Sequence, residues 1–204
     1  MNLEAKHYQV KSGLELLAGA RLCQIVNYSA GNGIPLSAEI KSKFKKVGFL
    51  DISMLHALID TPAKPVFPNL ADLVPSLRAR IAEQLVIQQL RLLGSPKGDP
   101  TELFYWQREG GRPGEIDHLV QIQGHIIPIE LKSGAAGSMK SLHQFMYDKK
   151  LKFAVRIDQN PPSVMNVNVK TTQSDKVDYT LSNIPQYLVF NLEELATQMY
   201  RIPK

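Results

Sequence analysis

The sequence predicts a mixed α/β fold of the α+β kind, and three observations predict it. Helix-period and strand-period segments alternate along the chain, the breaks between them fall on Gly, Pro and Asn, and 44% of the residues are hydrophobic. In 204 residues that is enough apolar material to bury a core without disulfide or metal staples.

Val10, Leu14, Leu17 and Ala18 recur at helical spacing and predict a helix over Tyr8 to Ala20. Leu22 to Tyr28 reads as a strand through Cys23, Ile25, Val26 and Tyr28, and Gly31-Asn32-Gly33 ends it in a turn. A second strand, Phe44 to Leu50, leads to a short helix, Ser53 to Ile59, with Asp51 or Ser53 placed to cap it. Pro62, Pro65, Pro68 and Pro75 exclude a helix interior, so residues 62–75 are expected to be a stiff connector between a unit at 1–61 and a larger one at 76–204. Beyond it lies the strongest helical segment, Ser76 to Leu93, with Ser76 as a capping candidate and Gly94 and Pro96 to stop it. Three strands follow at Leu103 to Arg108, Glu115 to Ile122 and His125 to Lys132. A loop at Gly134 to Gly137 then precedes a helix over Ser138 to Asp148. The rest reads as a strand Phe153 to Ile157, weaker strands at Val164 to Val169 and Tyr187 to Phe190, and a closing helix from Glu193.

Composition narrows the function classes. Lys plus Arg number 24 against 19 acids, a net charge of +5, so contact with nucleic acid has to come from local placement rather than bulk charge. Cys23 is the single cysteine, which excludes an internal disulfide and fits a reducing, cytoplasmic setting. No apolar run approaches the roughly 18 residues of a membrane span, and the first residues, with Glu4, Lys6 and His7, have no export signal. There is no Gly-x-x-x-x-Gly-Lys-Ser/Thr phosphate loop, no Gly-x-Gly-x-x-Gly, no His-Glu-x-x-His and no Gly-x-Ser-x-Gly, so ATP hydrolysis by this chain alone is not expected. The five histidines, at 7, 56, 118, 125 and 143, show no metal-ligand spacing.

Chemistry is expected at one hairpin. With Gln123-Gly124 as a two-residue turn, Ile122 pairs with His125, which sets Asp117 opposite Glu130 and Glu115 opposite Lys132 on one face. Facing carboxylates repel by up to about 1 kcal/mol on a sheet, and more where water is excluded. A divalent cation such as Mg²⁺, held by one or two carboxylates with waters and a substrate phosphate, would relieve that repulsion. Lys132 would then steady a water or a developing charge on phosphate. The alternative is a solvated face on which Lys132 and Glu115 form an ordinary ion pair. A third acid, Glu83, lies in line with Ala79, Ile87 and Leu90 on the Ser76 helix and therefore needs a partner, either Arg80 three residues earlier or a metal.

A helix with Glu83, a strand with Asp117 and a strand with Glu130-Leu131-Lys132 resemble the PD-(D/E)xK nuclease superfamily. More narrowly, the chain resembles a domain-of-unknown-function family that follows AAA-type ATPase modules in bacteria and archaea. The resemblance runs through Gly33-Ile34-Pro35-Leu36-Ser37-Ala38-Glu39, Phe49-Leu50-Asp51, Ala82-Glu83-Gln84, Phe104-Tyr105-Trp106-Gln107-Arg108, Glu115-Ile116-Asp117 and Ile127 to Gly134. It implies a winged-helix-like part over 1–61 and a restriction-endonuclease-like mixed sheet flanked by helices over 76–204. It further implies metal binding (Mg or Mn) by Asp117, Glu130 and Glu83, with Lys132 assisting the water. Ile116 stands where the name-giving proline would be, and the ATPase half is missing, so an ATPase is an expected partner in cis or in trans.

Three functions follow as expectations: a metal-dependent DNA nuclease, a non-catalytic DNA- or protein-binding accessory of an ATPase, and a winged-helix DNA-binding regulator. Lys41, Lys43, Lys45, Lys46, Lys149, Lys150 and Lys152 are the candidate phosphate contacts, with plain solvated faces as the alternative.

Overall fold

The computed structural model describes residues 7–58, 74–93, 101–110, 113–132 and 138–201. Their centre is one eight-stranded mixed sheet. The strands are β1 (Cys23–Ser29), β2 (Ile40–Phe49), β3 (Leu103–Gln107), β4 (Glu115–Ile122), β5 (His125–Leu131), β6 (Phe153–Asp158), β7 (Ser163–Lys170) and β8 (Lys176–Pro185), ordered β2-β1-β3-β4-β5-β6-β8-β7. The helices are α1 (His7–Gly19), α2 (Ile52–Leu58), α3 (Pro75–Leu90), α4 (Lys140–Asp148) and α5 (Leu192–Arg201). The mixed α/β class is therefore as expected. Most of the connector, together with Gly94, Pro96 and the Gly134–Gly137 loop, lies outside the described residues.

Among the described residues, β1 and β2 are strands of the central sheet rather than parts of a separate winged-helix-like unit. β1 pairs antiparallel with β2 on one side and parallel with β3 on the other, through Val26↔Leu103 and Tyr28↔Tyr105. Its apolar residues Val26 and Tyr28 are thus buried in the same core as Leu103 and Tyr105. Local periodicity predicts the elements but is blind to a pairing between strands so far apart in sequence. The weak strand expected at Tyr187 to Phe190 is instead part of a 3₁₀ helix, Gln186–Asn191, which follows Pro185 at the end of β8. β8 itself was not anticipated, although Val177, Tyr179 and Leu181 alternate into the core.

At the α2 start, Asp51 caps by accepting the Ser53 N–H at 2.7 Å. Pro75 opens α3, after Val74 rather than Ser76 at the cap. α3 lies on the sheet face that carries Leu131, while α4 packs Phe145 against Trp106 and beside Leu119 on the opposite face. Two contacts fix α3 to β2. The buried amide of Gln84 accepts the Phe49 N–H and donates to the Phe49 C=O, each at 2.8 Å, which also closes part of the open edge of β2. At Gly48 the strand approaches so closely that a Cβ would stand 2.6 Å from Cγ2 of Ile87. Gly48→Ala is therefore expected to cost about 1–3 kcal/mol in denaturant unfolding. Combined with Ile87→Ala, the loss should be smaller than the two single losses together; strict additivity would show that no contact is shared.

Candidate active site

The β4–β5 hairpin has the register that the two-residue turn dictates. Gln123 and Gly124 both have positive φ, 48° and 78°, as a turn matched to strand twist requires. The ladder runs from Ile122↔His125 to His118↔Ile129. There it stops, and the Leu131 N–H is donated to Oδ2 of Asp117 at 2.7 Å. On its other side β4 pairs Leu119 with Phe104 and Ile116 with Trp106, so three steps on β4 face two on β3. This bulge falls on the span of Asp117 and His118 and re-aims those side chains, a device common beside active sites.

Glu130 is buried at 6% exposure. Its Oε1 lies 2.5 Å from Nζ of Lys132, and its Oε2 is buried with no hydrogen-bond partner among the described residues. Arg156 of β6 is its neighbour in the parallel ladder. Burial, followed by the negative charge of Glu130, pushes the Asp117 carboxyl well above its ordinary range, against the pull of the Leu131 N–H and Lys46. Burial pushes Glu130 upward as well, against the nearby Lys132. The two acids therefore resist being ionised together.

Glu83 is held by Lys46, whose Nζ lies 2.9 Å from its Oε1 and also pairs with Glu115. Its partner is thus Lys46 rather than Arg80. Burial opposes the charge on Lys46, but Glu83 and Glu115 outweigh it and hold the ammonium protonated above the ordinary lysine range. Nζ also stands 5.0 Å from the centre of the Tyr105 ring. In place of the alternative pairing of Lys132 with Glu115 stand two other pairs, Lys132–Glu130 and Lys46–Glu115. The role of Lys46 had no local signal, because it depends on β2 reaching the same sheet as β4.

The remaining lysines stand apart from this cluster. Lys41 pairs with Glu109 and Lys149 bonds the Asn32 side chain, and both flank Glu39. Lys152 donates to the Asp178 C=O at 3.2 Å, and Lys43 and Lys150 are exposed. Lys41, Lys43, Lys45 and Lys46 all lie on β2, an edge strand, where lysines also discourage pairing with another sheet.

Among the described residues, no three His, Cys, Asp or Glu side chains are grouped so as to enclose a metal ion by themselves. The donor set that fits a hard divalent cation is the pair Asp117 and Glu130. It offers two carboxylates, including the unpartnered Oε2 of Glu130, and would leave the remaining positions of such an ion to solvent. Glu83 joins that set only by leaving Lys46.

No helix among the described residues is long and apolar enough to cross a membrane. No curated protein and no solved structure matches the chain. One family does match: residues 78–187, more than half of the chain and the span that carries Glu83, Asp117, Glu130 and Lys132, fit the domain of unknown function DUF4143, and the chain belongs to that family.

Proposed function

We propose that the chain is a metal-dependent nuclease that hydrolyses DNA phosphodiesters at Asp117, Glu130 and Lys132. One observation carries the reading. Two carboxyls on adjacent strands are both forced above their ordinary range, one keeps a buried oxygen without a partner, and a lysine lies at 2.5 Å. Such a pair is unfavourable alone and becomes favourable around a cation. Mg²⁺ or Mn²⁺ bound there would polarise the phosphodiester and acidify a water. Asp117, fixed by the Leu131 N–H, and Glu130 would hold the ion. Lys132 would release Glu130 and present its ammonium to the attacking water and the developing phosphate charge. Lys46 would keep Glu83 and Glu115 paired at the rim. The likeness to PD-(D/E)xK nucleases supports this assignment of roles, a mixed sheet of restriction-endonuclease type included. An ATPase partner and a cytoplasmic setting belong to the same reading, resting on the missing phosphate loop and the lone Cys23.

A second reading has one observation in its favour. Lys46 pairs with both Glu83 and Glu115, and Lys132 with Glu130, as they would in an accessory module that keeps the fold for binding. Calorimetry with Mn²⁺ and cleavage of linear, branched and single-stranded DNA separate the two. The nuclease reading expects Mn²⁺ binding and cleavage, both lost in Glu130→Gln. Cleavage of none of these substrates with either metal would leave the accessory module. The winged-helix regulator is the weaker reading, because among the described residues β1 and β2 are strands of the central sheet.

A further inference from the structure

A cavity of about 330 Å³ opens beside Lys132, between α3 and the carboxyl ends of β5, β6 and β8. Its walls are mainly apolar, from Ile81, Ala82, Leu85, Leu131 and Ile157, with Tyr187 on the rim at 70% exposure. The volume lies at the low end of the roughly 300–1,000 Å³ usual for ligand pockets. That is room for one base and its sugar, but not for a duplex.

The charges at its mouth are chiefly cationic. Asp158 also lines it, but its fully buried carboxylate is taken by Arg156 at 3.0 Å and by the N–H groups of Asn160 at 2.8 Å. Lys132 is paired with Glu130 at 2.5 Å and adds its charge only on leaving that acid, which makes Arg78, whose Nε is buried without a hydrogen-bond partner among the described residues, the cation present at the mouth. Arg78 lies in the first turn of α3, which holds no acid, so guanidinium and helix dipole present positive potential together. An apolar slot with an aromatic rim and a cation at its entrance matches a flat heteroaromatic ring joined to a phosphate. The amides of Gln159 and Gln186 add donors and acceptors for its edge.

We propose that this cavity takes an unpaired nucleobase of the DNA strand whose neighbouring phosphate lies at Lys132, which makes single-stranded or branched DNA the substrate class. The inference rests on the nuclease reading for the phosphate and stands apart from it in the base slot. A base must leave its stack to enter, which is least costly where it is already unpaired.

The test is binding rather than cleavage. Fluorescence anisotropy of the full chain in EDTA compares a short single-stranded oligonucleotide, the same strand with abasic positions, and a blunt duplex. The intact strand is expected to bind about tenfold tighter than the abasic one. Ala82→Trp, which fills the slot, should erase that difference while leaving the abasic strand bound as before. Leu85→Phe, which narrows the same slot, should reduce it and serves where the bulkier variant fails to fold by circular dichroism. Equal binding of intact and abasic strands, absence of binding, or a difference untouched by both variants overturns the inference. Cleavage of blunt duplex alone, with no base preference in binding, overturns it and leaves the nuclease reading intact. Base-dependent binding without cleavage in Mg²⁺ or Mn²⁺ supports the slot and removes the nuclease.

Discussion

Asp117→Asn is expected to raise the melting temperature in EDTA at pH 8 and to abolish metal-dependent cleavage. The carboxyl of Asp117 is raised above its ordinary range by burial and by Glu130, so ionising it works against the folded state. Its favourable contribution is complete at acid pH, below the ordinary carboxylate range, and is lost as pH rises toward and through the raised value. At pH 8 the metal-free protein bears the whole penalty. Asparagine removes the charge and keeps an oxygen for the Leu131 N–H. A gain of about 2 kcal/mol is a fair allowance for a side chain that is only half-buried by its surface, and it corresponds to roughly 4–8 °C for a chain of this length. Mn²⁺ at a hundred times its Kd would add about 2.7 kcal/mol to the native protein and nothing to the variant. Cleavage should fall on the order of a hundredfold or more. A variant less stable than the native protein in EDTA at pH 8 would show that the charge of Asp117 is not a burden.

His118→Leu should abolish the loss of stability in mild acid that charging the imidazole causes, so that the variant is more stable at pH 5 than at pH 8. The imidazole is fully buried, and neither ring nitrogen has a hydrogen-bond partner among the described residues. Burial, followed by the charge of Lys46, brings its pKa down from 6.5 to about 3. The neutral ring is therefore favoured in the fold. Its contribution is complete above pH 6.5 and drains away as pH falls toward 3, with about 2 kcal/mol gone by pH 5. Leucine does not titrate and leaves no orphaned polar atoms, so stability at pH 8 should hold or rise. Asp117 and His118 pull in opposite senses between the carboxylate range and pH 6.5, which flattens the native profile. Each single variant should therefore unmask the slope of the other residue. Denaturant midpoints from pH 5 to 8 read this directly, and identical profiles for the native protein and His118→Leu would sink the idea.

The hairpin was legible because its information is local. Gln123-Gly124 dictates the turn, the turn dictates the register, and the register brings Asp117 toward Glu130. The third acid was half legible, since Glu83 had to have a partner but its identity depends on how α3 meets β2. Gln84 and Gly48 decide that, through a side-chain amide and a missing Cβ that hydrophobic spacing does not register. The bulge at Asp117 and His118 was hidden for a similar reason: nothing in Glu115-Ile116-Asp117-His118-Leu119 departs from a plain strand until β3 is laid beside it. The prolines of the connector could not foretell that β1 pairs with β3 across it, because they mark where the chain cannot be helical, not where a sheet ends.

The place of β1 also bears on the order in which the protein can be made. β1 ends at Ser29 and the strand that completes its other side begins only at Leu103. During synthesis, β1 and β2 exist first as a two-stranded ribbon, which is marginal in water. The ribbon waits with one unpaired edge until the centre of the sheet emerges. The lysines of β2 guard its outer margin in that interval, while the inner margin, bearing Val26 and Tyr28, stays exposed to any other nascent strand. Release of the folded protein is thus tied to the arrival of its middle rather than its beginning.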